Sequence, residues 1–131
     1  MKVVDQPLAA AVRVLTVDDQ ALFRGIAREV IDATPGFEVA GEATCGEEAL
    51  TAVEDLAPQL VLVDVRMPGM DGVDVARHLA ANHPETVVVL ISIEESVDVP
   101  SAAQLTGKVP FVRKRDFGPA LLRGLWAAHG R

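Results

Sequence analysis

Cysteine is nearly absent from this sequence of 131 residues, which contains Cys45 and no other. A single cysteine excludes an intrachain disulfide framework and a metal site built from cysteines alone. It also fits a reducing compartment. Apolar runs such as Leu60–Val63 and Val87–Ile91 are short, whereas a membrane-spanning helix needs about 20 apolar residues. Residues 1–12 lack the apolar segment of a signal peptide, so we expect a cytoplasmic protein that does not bind membranes.

Basic residues are also scarce: 12 lysines and arginines stand against 19 aspartates and glutamates, a net charge of −7 at pH 7. A surface of that sign repels phosphate backbones, which argues against direct nucleic-acid binding by this chain. Apolar residues make up 50% of the sequence, too many for a disordered chain, and the length allows one domain. We expect residues 1–11 to form a flexible leader and residues 12–131 to form that domain.

Short apolar runs alternate with longer amphipathic segments along the chain. This alternation predicts βαβ units and therefore a parallel sheet with helices on both faces. The predicted strands are Val12–Val17, Phe37–Ala43, Leu60–Val63, Thr86–Ile91 and Val109–Val112, and the predicted helices are Ala21–Ala33, Glu47–Leu56, Asp71–Ala81, about Pro100–Leu105, and Phe117–His129.

Two of the predicted helices carry clear apolar stripes at helical spacing. The stripe of the first helix is Leu22, Ile26, Val30 and Ile31, and that of the last helix is Leu121, Leu122, Leu125 and Trp126. We expect the stripe of the last helix to face the core.

Polar side chains follow four of the predicted strands at the point where each strand ends. They are Asp18 and Asp19, Asp64, Ser92, and Lys114. The carboxyl ends of parallel strands meet at one edge of a sheet, so these side chains should converge. Three clustered carboxylates repel one another and raise one another's pKa unless a cation is present, and Mg²⁺ with its oxygen ligands is the simplest such cation. A lysine and a hydroxyl beside it can hold phosphoryl oxygens, and an aspartate can form an aspartyl phosphate.

Each of these residues also has a purely structural interpretation. Asp18 or Asp19 can cap a helix, Asp64 can begin a turn, and Ser92 can bond nearby backbone. Lys114 can be a solvated charge. Four such coincidences at four strand ends are improbable together, so the set favours phosphoryl chemistry on an aspartate.

One segment, Leu62–Gly72, reads LVDVRMPGMDG, and Val17 precedes the aspartate pair. With Ser92, Phe111 and Lys114, this pattern resembles the receiver domain of two-component response regulators. It is most similar to the subgroup whose receivers usually precede a LuxR-type helix-turn-helix domain. The resemblance implies a flavodoxin-like (βα)5 fold, a doubly wound five-stranded parallel sheet.

The resemblance also implies a role for each residue of the set. Asp64 would accept a phosphoryl group from a sensor histidine kinase or a phosphotransfer protein, and Lys114 would bind that group. Asp19 would bind Mg²⁺ directly and Asp18 through water, while Asp64 and the backbone carbonyl of Arg66 would complete the metal site. Chemistry would be limited to the phosphorylation and dephosphorylation of the protein itself.

A switch is implied as well. The Ser92 hydroxyl would move toward the phosphoryl group, and Phe111 would turn inward with it. The movement would remodel a protein-interaction surface that serves a homodimer or an output-domain partner.

Three features depart from the family pattern. Arg115 replaces the usual proline after Lys114, and a trans bond there should shift the approach of the lysine. Ile93 replaces a small residue after Ser92, which predicts slow dephosphorylation. The acidic, proline-interrupted segment 94–108 predicts a displaced or partly disordered fourth helix and an unusual partner surface.

Two other functions compete with a switching receiver. The departures favour a phosphorylation-independent protein-binding module, whereas the intact Asp64 and Lys114 oppose it. A Mg²⁺-dependent phosphohydrolase would resemble other such enzymes in having an aspartate two residues after the nucleophile, but that residue is Arg66. No phosphate-binding glycine motif for nucleotides is present.

Overall fold

The computed structural model describes residues 10–93 and 109–130. Within those ranges the chain forms five strands, four α-helices and one 3-10 turn. The strands are β1 (Val12–Val17), β2 (Phe37–Ala43), β3 (Leu60–Asp64), β4 (Val87–Ser92) and β5 (Phe111–Arg113). The helices are α1 (Ala21–Asp32), α2 (Gly46–Leu56), α3 (Gly72–Asn82) and α4 (Pro119–His129), and the 3-10 turn is Lys114–Asp116.

The five strands form one parallel sheet in the order β2-β1-β3-β4-β5. The chain leaves β1 toward one edge of the sheet and then returns to build the other edge from β3 outward. This reversal opens a crevice beyond the carboxyl ends of β1 and β3, which is where ligands bind in sheets of this kind. The arrangement confirms the predicted flavodoxin-like, doubly wound parallel sheet.

Two hydrophobic layers cover the two faces of the sheet. Val61 and Val63 pack with α2 and α3 in one layer, and Leu60 and Leu62 pack with α1 and α4 in the other. Successive residues of a strand point to opposite faces, so β3 supplies both layers and all of its residues are buried. An apolar run that ends abruptly at Asp64 is what a central strand of this kind requires.

Helix α1 buries only part of the apolar stripe that the sequence indicates. Phe23, Ala27 and Ile31 are buried, whereas Leu22 is 78% exposed and Ile26 is 44% exposed. The buried stripe shares Ile31 with the indicated stripe, and the rest of it is offset by one residue. Periodicity therefore predicts the helix correctly but does not show which stripe meets the sheet.

The C-terminal segment confirms the predicted inward face of the last helix and shifts its start. Leu122 and Leu125 are buried, and Leu121 and Trp126 pack partly buried against the same layer. The helix begins at Pro119, whose fixed φ suits a first helical position. The 3-10 turn occupies the residues between β5 and that start.

Some predictions fall outside the described residues. The fourth predicted helix and the displaced segment 94–108 lie there, as does the leader except for residues 10 and 11. In the part of the chain that the structure describes, no helix has the length and apolar character needed to cross a membrane.

Candidate functional site

The loop after β1 places one carboxylate inside the protein and one at its surface. The Asp18 amide donates to the Ala43 carbonyl at 3.0 Å, so the backbone still follows the sheet at this residue. The Asp18 Oδ1 atom accepts from the Gln20 amide at 2.9 Å, which sets the turn into α1. Asp18 is fully buried and Asp19 is exposed.

Asp64 is the last residue of β3 and is only 7% exposed. Its Oδ1 atom accepts a hydrogen bond of 3.1 Å from the Arg66 amide. The amide of Val65, the residue directly after Asp64, donates to the Ile91 carbonyl at 2.9 Å. Both bonds fix the direction in which the carboxylate leaves the strand.

The turn that follows Asp64 depends on the glycine at the start of α3. A Cβ atom at Gly72 would lie 2.2 Å from the Asp64 carbonyl oxygen, so only glycine fits. The Gly72 amide donates to the Val65 carbonyl at 3.0 Å. Asp71 caps the helix by accepting from the Asp74 amide at 3.0 Å, and the Asp71 amide donates to the Asp74 carboxylate at 3.3 Å.

Lys114 connects the two buried carboxylates. Its Nζ atom lies 2.6 Å from Asp18 Oδ2 and 3.2 Å from Asp64 Oδ2, and its side chain is 8% exposed. The described residues contain no cis peptide bond. With a trans bond before Arg115, the lysine lies within ion-pair distance of both carboxylates. The expected shift in its approach to a phosphoryl group stays a prediction. A 3-10 turn begins at Lys114.

Burial raises the pKa of Asp64 above its ordinary value, and the neighbouring Asp18 charge raises it further. The Arg66 amide and the Lys114 ammonium oppose these effects. The net result is a raised pKa, which means that the charged carboxylate is less favoured here than in water.

One carboxylate oxygen from each of Asp18, Asp19 and Asp64 lies within 4.8 Å of the other two. Asp18 Oδ2 is buried without a hydrogen bond of regular geometry, although the Lys114 ammonium is close. A cluster of hard oxygen ligands that includes a buried carboxylate oxygen fits a small divalent cation that keeps several waters. The residues present therefore suit Mg²⁺.

The structure brings five of the seven predicted site residues to the lining of one cleft, and Asp18 and Phe111 are not among them. The described residues that line the cleft are Asp19, Gln20, Asp64, Arg66, Ser92, Ile93 and Lys114. Ser92 is buried at the end of β4, and Ile93 is 67% exposed beside it. Phe111 does not line this cleft; it is half-buried at the start of β5 and packs against the layer of α2 and α3.

Sequence reasoning missed two residues of α1 that touch the site. The Arg24 guanidinium donates from Nη1 to the Asp18 carbonyl at 2.8 Å. The ring of Phe23 lies under the Lys114 ammonium, with 4.8 Å between Nζ and the ring centroid. The stripe of Phe23, Ala27 and Ile31 was the available signal, since it turns this ring toward the sheet.

The fold and the cleft define an α/β domain with an acidic cluster and a lysine at the reversal point of a parallel sheet. The sequence matches the response regulator receiver domain over residues 14–123, and the chain belongs to that family. Receiver domains accept a phosphoryl group from a kinase, and this chain is such a signalling domain.

Three similar proteins illustrate the range of the family. The response regulator GacA of Pseudomonas viridiflava is 38% identical over 104 residues, which are 79% of this chain and 48% of GacA. The protein-glutamate methylesterase/protein-glutamine glutaminase 5 of Myxococcus xanthus is 40% identical over 109 residues, which are 82% of this chain and 31% of that protein. The solved signal receiver domain of NarL from Mycobacterium tuberculosis is 33% identical, with a TM-score of 0.79 over 92% of this chain and 98% of that one. This chain thus spans half or less of the two curated relatives.

Proposed function

We propose that Asp64 is the phosphoacceptor of a switching receiver and that Lys114 and the acidic cluster are its machinery. The observation that carries this proposal is the position of the Lys114 ammonium, 2.6 Å from Asp18 Oδ2 and 3.2 Å from Asp64 Oδ2. A buried cation held between two carboxylates is already placed to accompany the negative charge that a phosphoryl group brings.

In the proposed reaction a carboxylate oxygen of Asp64 attacks the phosphorus of a phosphohistidine. The new bond from oxygen to phosphorus forms as the bond from phosphorus to the donor nitrogen breaks, and the imidazole leaves. Lys114 balances the charge on the oxygens of the transferred group. The Arg66 amide holds Asp64 Oδ1 during the attack.

The proposed cofactor is Mg²⁺, held by Asp18, Asp19, Asp64 and the backbone carbonyl of Arg66. The ion, when bound, supplies positive charge beside the phosphoryl oxygens. Support for it comes from the three carboxylates, which each offer an oxygen within 4.8 Å of the others.

The proposed switch links Ser92 to Phe111 through two paired strands. Ser92 lies opposite Arg113, and Leu90 lies opposite Phe111, in the register of β4 and β5. Movement of the Ser92 hydroxyl toward the phosphoryl group would therefore be felt at Phe111, two residues before Arg113. The ring packs against the layer of α2 and α3, so its movement would change that side of the domain.

We further propose the setting in which this switch works. The donor is a sensor histidine kinase or a phosphotransfer protein, and the output is a changed protein surface, used in a homodimer or by an output domain. Motif resemblance supports the LuxR-type subgroup. We place the protein in the cytoplasm and assign it no separate substrate to turn over.

The test is the intact mass of the protein after incubation with phosphoramidate and Mg²⁺. We expect one phosphoryl adduct on the wild type and none on Asp64→Asn or in the absence of metal. Asp18→Asn and Lys114→Ala should show slower adduct formation. Wild-type protein that is folded, binds Mg²⁺ and gains no phosphoryl group from this donor or from a histidine kinase would favour the phosphorylation-independent binding module instead.

A further inference from the structure

We propose that Phe23 is a positioning residue for Lys114, and that the face of its ring holds the ammonium in place for the phosphoryl group. The proposal rests on the function assigned to Lys114 above. The Lys114 Nζ atom is 4.8 Å from the centroid of the Phe23 ring. Phe23 is 5% exposed and the Lys114 side chain is 8% exposed, so water screens this contact little.

The Phe23 ring gives the Lys114 ammonium a contact of a different kind from those of the carboxylates. Two acidic side chains, Asp18 and Asp64, contact Nζ, and the ring face supplies a further contact through its negative π-electron density. A lysine side chain has four rotatable bonds and loses much entropy when it is fixed. A buried aromatic face that attracts the ammonium therefore narrows the positions that Nζ can occupy.

The Phe23 ring is itself held by Phe117, which lies three residues after Lys114. Its centroid lies 6.1 Å from that of the Phe117 ring, with 55° between the two planes. Phe117 directly follows the 3-10 turn, and its amide donates to the Lys114 carbonyl at 3.1 Å. The two rings thus tie the backbone at Lys114 and the ammonium of the same residue to α1.

This double attachment holds Lys114 from the side of α1. Phosphorylation changes the charge and shape of Asp64, which is one of the two acidic contacts of Lys114. The Phe23 ring takes no part in the transfer, so it can keep Nζ in place while the acidic contacts are redistributed.

The contact itself can be tested by NMR, because the chain has only three lysines, Lys2, Lys108 and Lys114. Lysine labelled with ¹³C and ¹⁵N gives few side-chain signals, which Lys2→Arg and Lys108→Arg assign. The ring current of Phe23 should shift the Lys114 methylene protons next to Nζ upfield of those of the other two lysines. Phe23→Leu should abolish this shift, and Phe23→Tyr should retain it.

The positioning role is tested by the rate of phosphorylation with phosphoramidate. Phe23→Leu should slow the transfer by about three- to tenfold, the size expected from loss of a partly desolvated contact between a cation and a ring. Phe23→Tyr should restore the wild-type rate. Ile31→Val is the matched control, because Ile31 is fully buried on the same face of α1, about two helical turns after Phe23; it should leave the rate unchanged at a similar thermal midpoint.

Three results would overturn the proposal: an unchanged Lys114 signal in Phe23→Leu, a rate equal to that of Ile31→Val, or no recovery in Phe23→Tyr. If Phe23→Leu does not fold, Phe23→Met replaces it, since methionine keeps the apolar volume without the ring. A wild type that takes no phosphoryl group would refute the proposed function, while the Lys114 signal would still decide whether Phe23 holds the lysine.

Discussion

Gly72 and Asp64 approach each other so closely that a Cβ atom on Gly72 would lie 2.2 Å from the Asp64 carbonyl oxygen. The first turn of α3 therefore packs directly on the end of the strand that carries Asp64, the proposed phosphoacceptor. Any side chain at Gly72 must push that strand end away, and with it the Asp64 carboxylate.

We predict that Gly72→Ala destabilises the fold by about 1–3 kcal/mol, the usual cost of overpacking, and also slows phosphorylation. Urea unfolding and the rate of adduct formation measure the two effects. Gly124→Ala is the control, since a Cβ atom there meets nothing within 4 Å. In the interior of α4 it should stabilise the protein by up to about 1 kcal/mol. Normal stability and rate in Gly72→Ala would contradict the close packing.

Arg24 should matter to the metal site although it carries the wrong charge to bind a cation. Its guanidinium holds the Asp18 carbonyl at 2.8 Å and pairs with Glu42 at 3.5 Å. We predict that Arg24→Ala weakens Mg²⁺ binding by roughly tenfold, in line with loss of a charged hydrogen bond. Isothermal titration calorimetry measures the affinity.

Arg28→Ala is the matched control for Arg24, because Arg28 also pairs with Glu42, at 2.7 Å, and lies one turn farther from the site. It should leave Mg²⁺ affinity unchanged. Equal losses in the two variants would show that the ion pairs with Glu42, and not the bond to Asp18, determine the effect.

Ile93 should protect the phosphorylated state. Its side chain is 67% exposed and lines the same cleft as Asp64, so truncating it should admit more water to the cleft. We predict that Ile93→Ala shortens the lifetime of phosphorylated Asp64, measured by loss of the adduct mass after removal of the donor. Leu22→Ala, another exposed apolar truncation that is outside the cleft lining, should not. An unchanged lifetime in Ile93→Ala would remove the shielding role.

Glu48 should make the start of α2 sensitive to pH. The Thr44 amide and hydroxyl donate to its Oε1 at 2.6 and 2.8 Å and lower the Glu48 pKa below its ordinary value of 4.5. When the pKa of a carboxyl group is lower in the folded state than in the unfolded state, its ionisation stabilises the fold at a pH above the unfolded-state pKa. This stabilisation is lost as the pH falls through the folded-state pKa. Glu48→Gln should thus be less stable than wild type at pH 7, with the difference shrinking toward pH 3.

The neighbouring Glu47→Gln controls for the loss of a negative charge in the first turn of α2, where both residues lie. Urea unfolding of the three proteins at both pH values gives the comparison. A stability difference for Glu48→Gln that does not change with pH would contradict the role of its carboxylate.

The sequence was sufficient to predict the sheet and the convergence of Asp18, Asp64 and Lys114, for a simple physical reason. An apolar run that ends in a polar residue marks both a buried strand and the edge at which parallel strands terminate. Neither inference needs the packing of individual side chains.

The contacts of α1 could not be predicted in the same way. Leu22 and Phe23 begin two equally regular stripes, and the choice between them depends on how the helix rotates against the sheet. That rotation also brings Arg24 to the Asp18 carbonyl. The effect of Arg115 on the reach of Lys114 to a phosphoryl group stays a prediction. The roles assigned to Ser92 and Phe111 stay predictions.

Strand β5 has only three residues and, in the described part of the chain, pairs with β4 alone. For β5 to separate from the sheet, few hydrogen bonds must therefore break and little buried surface must be exposed. Segments of this kind open locally before the whole protein unfolds. Lys114 follows β5 directly. Amide hydrogen exchange should then be faster in β5 than in β3, so the strand that leads into Lys114 should open without the rest of the sheet.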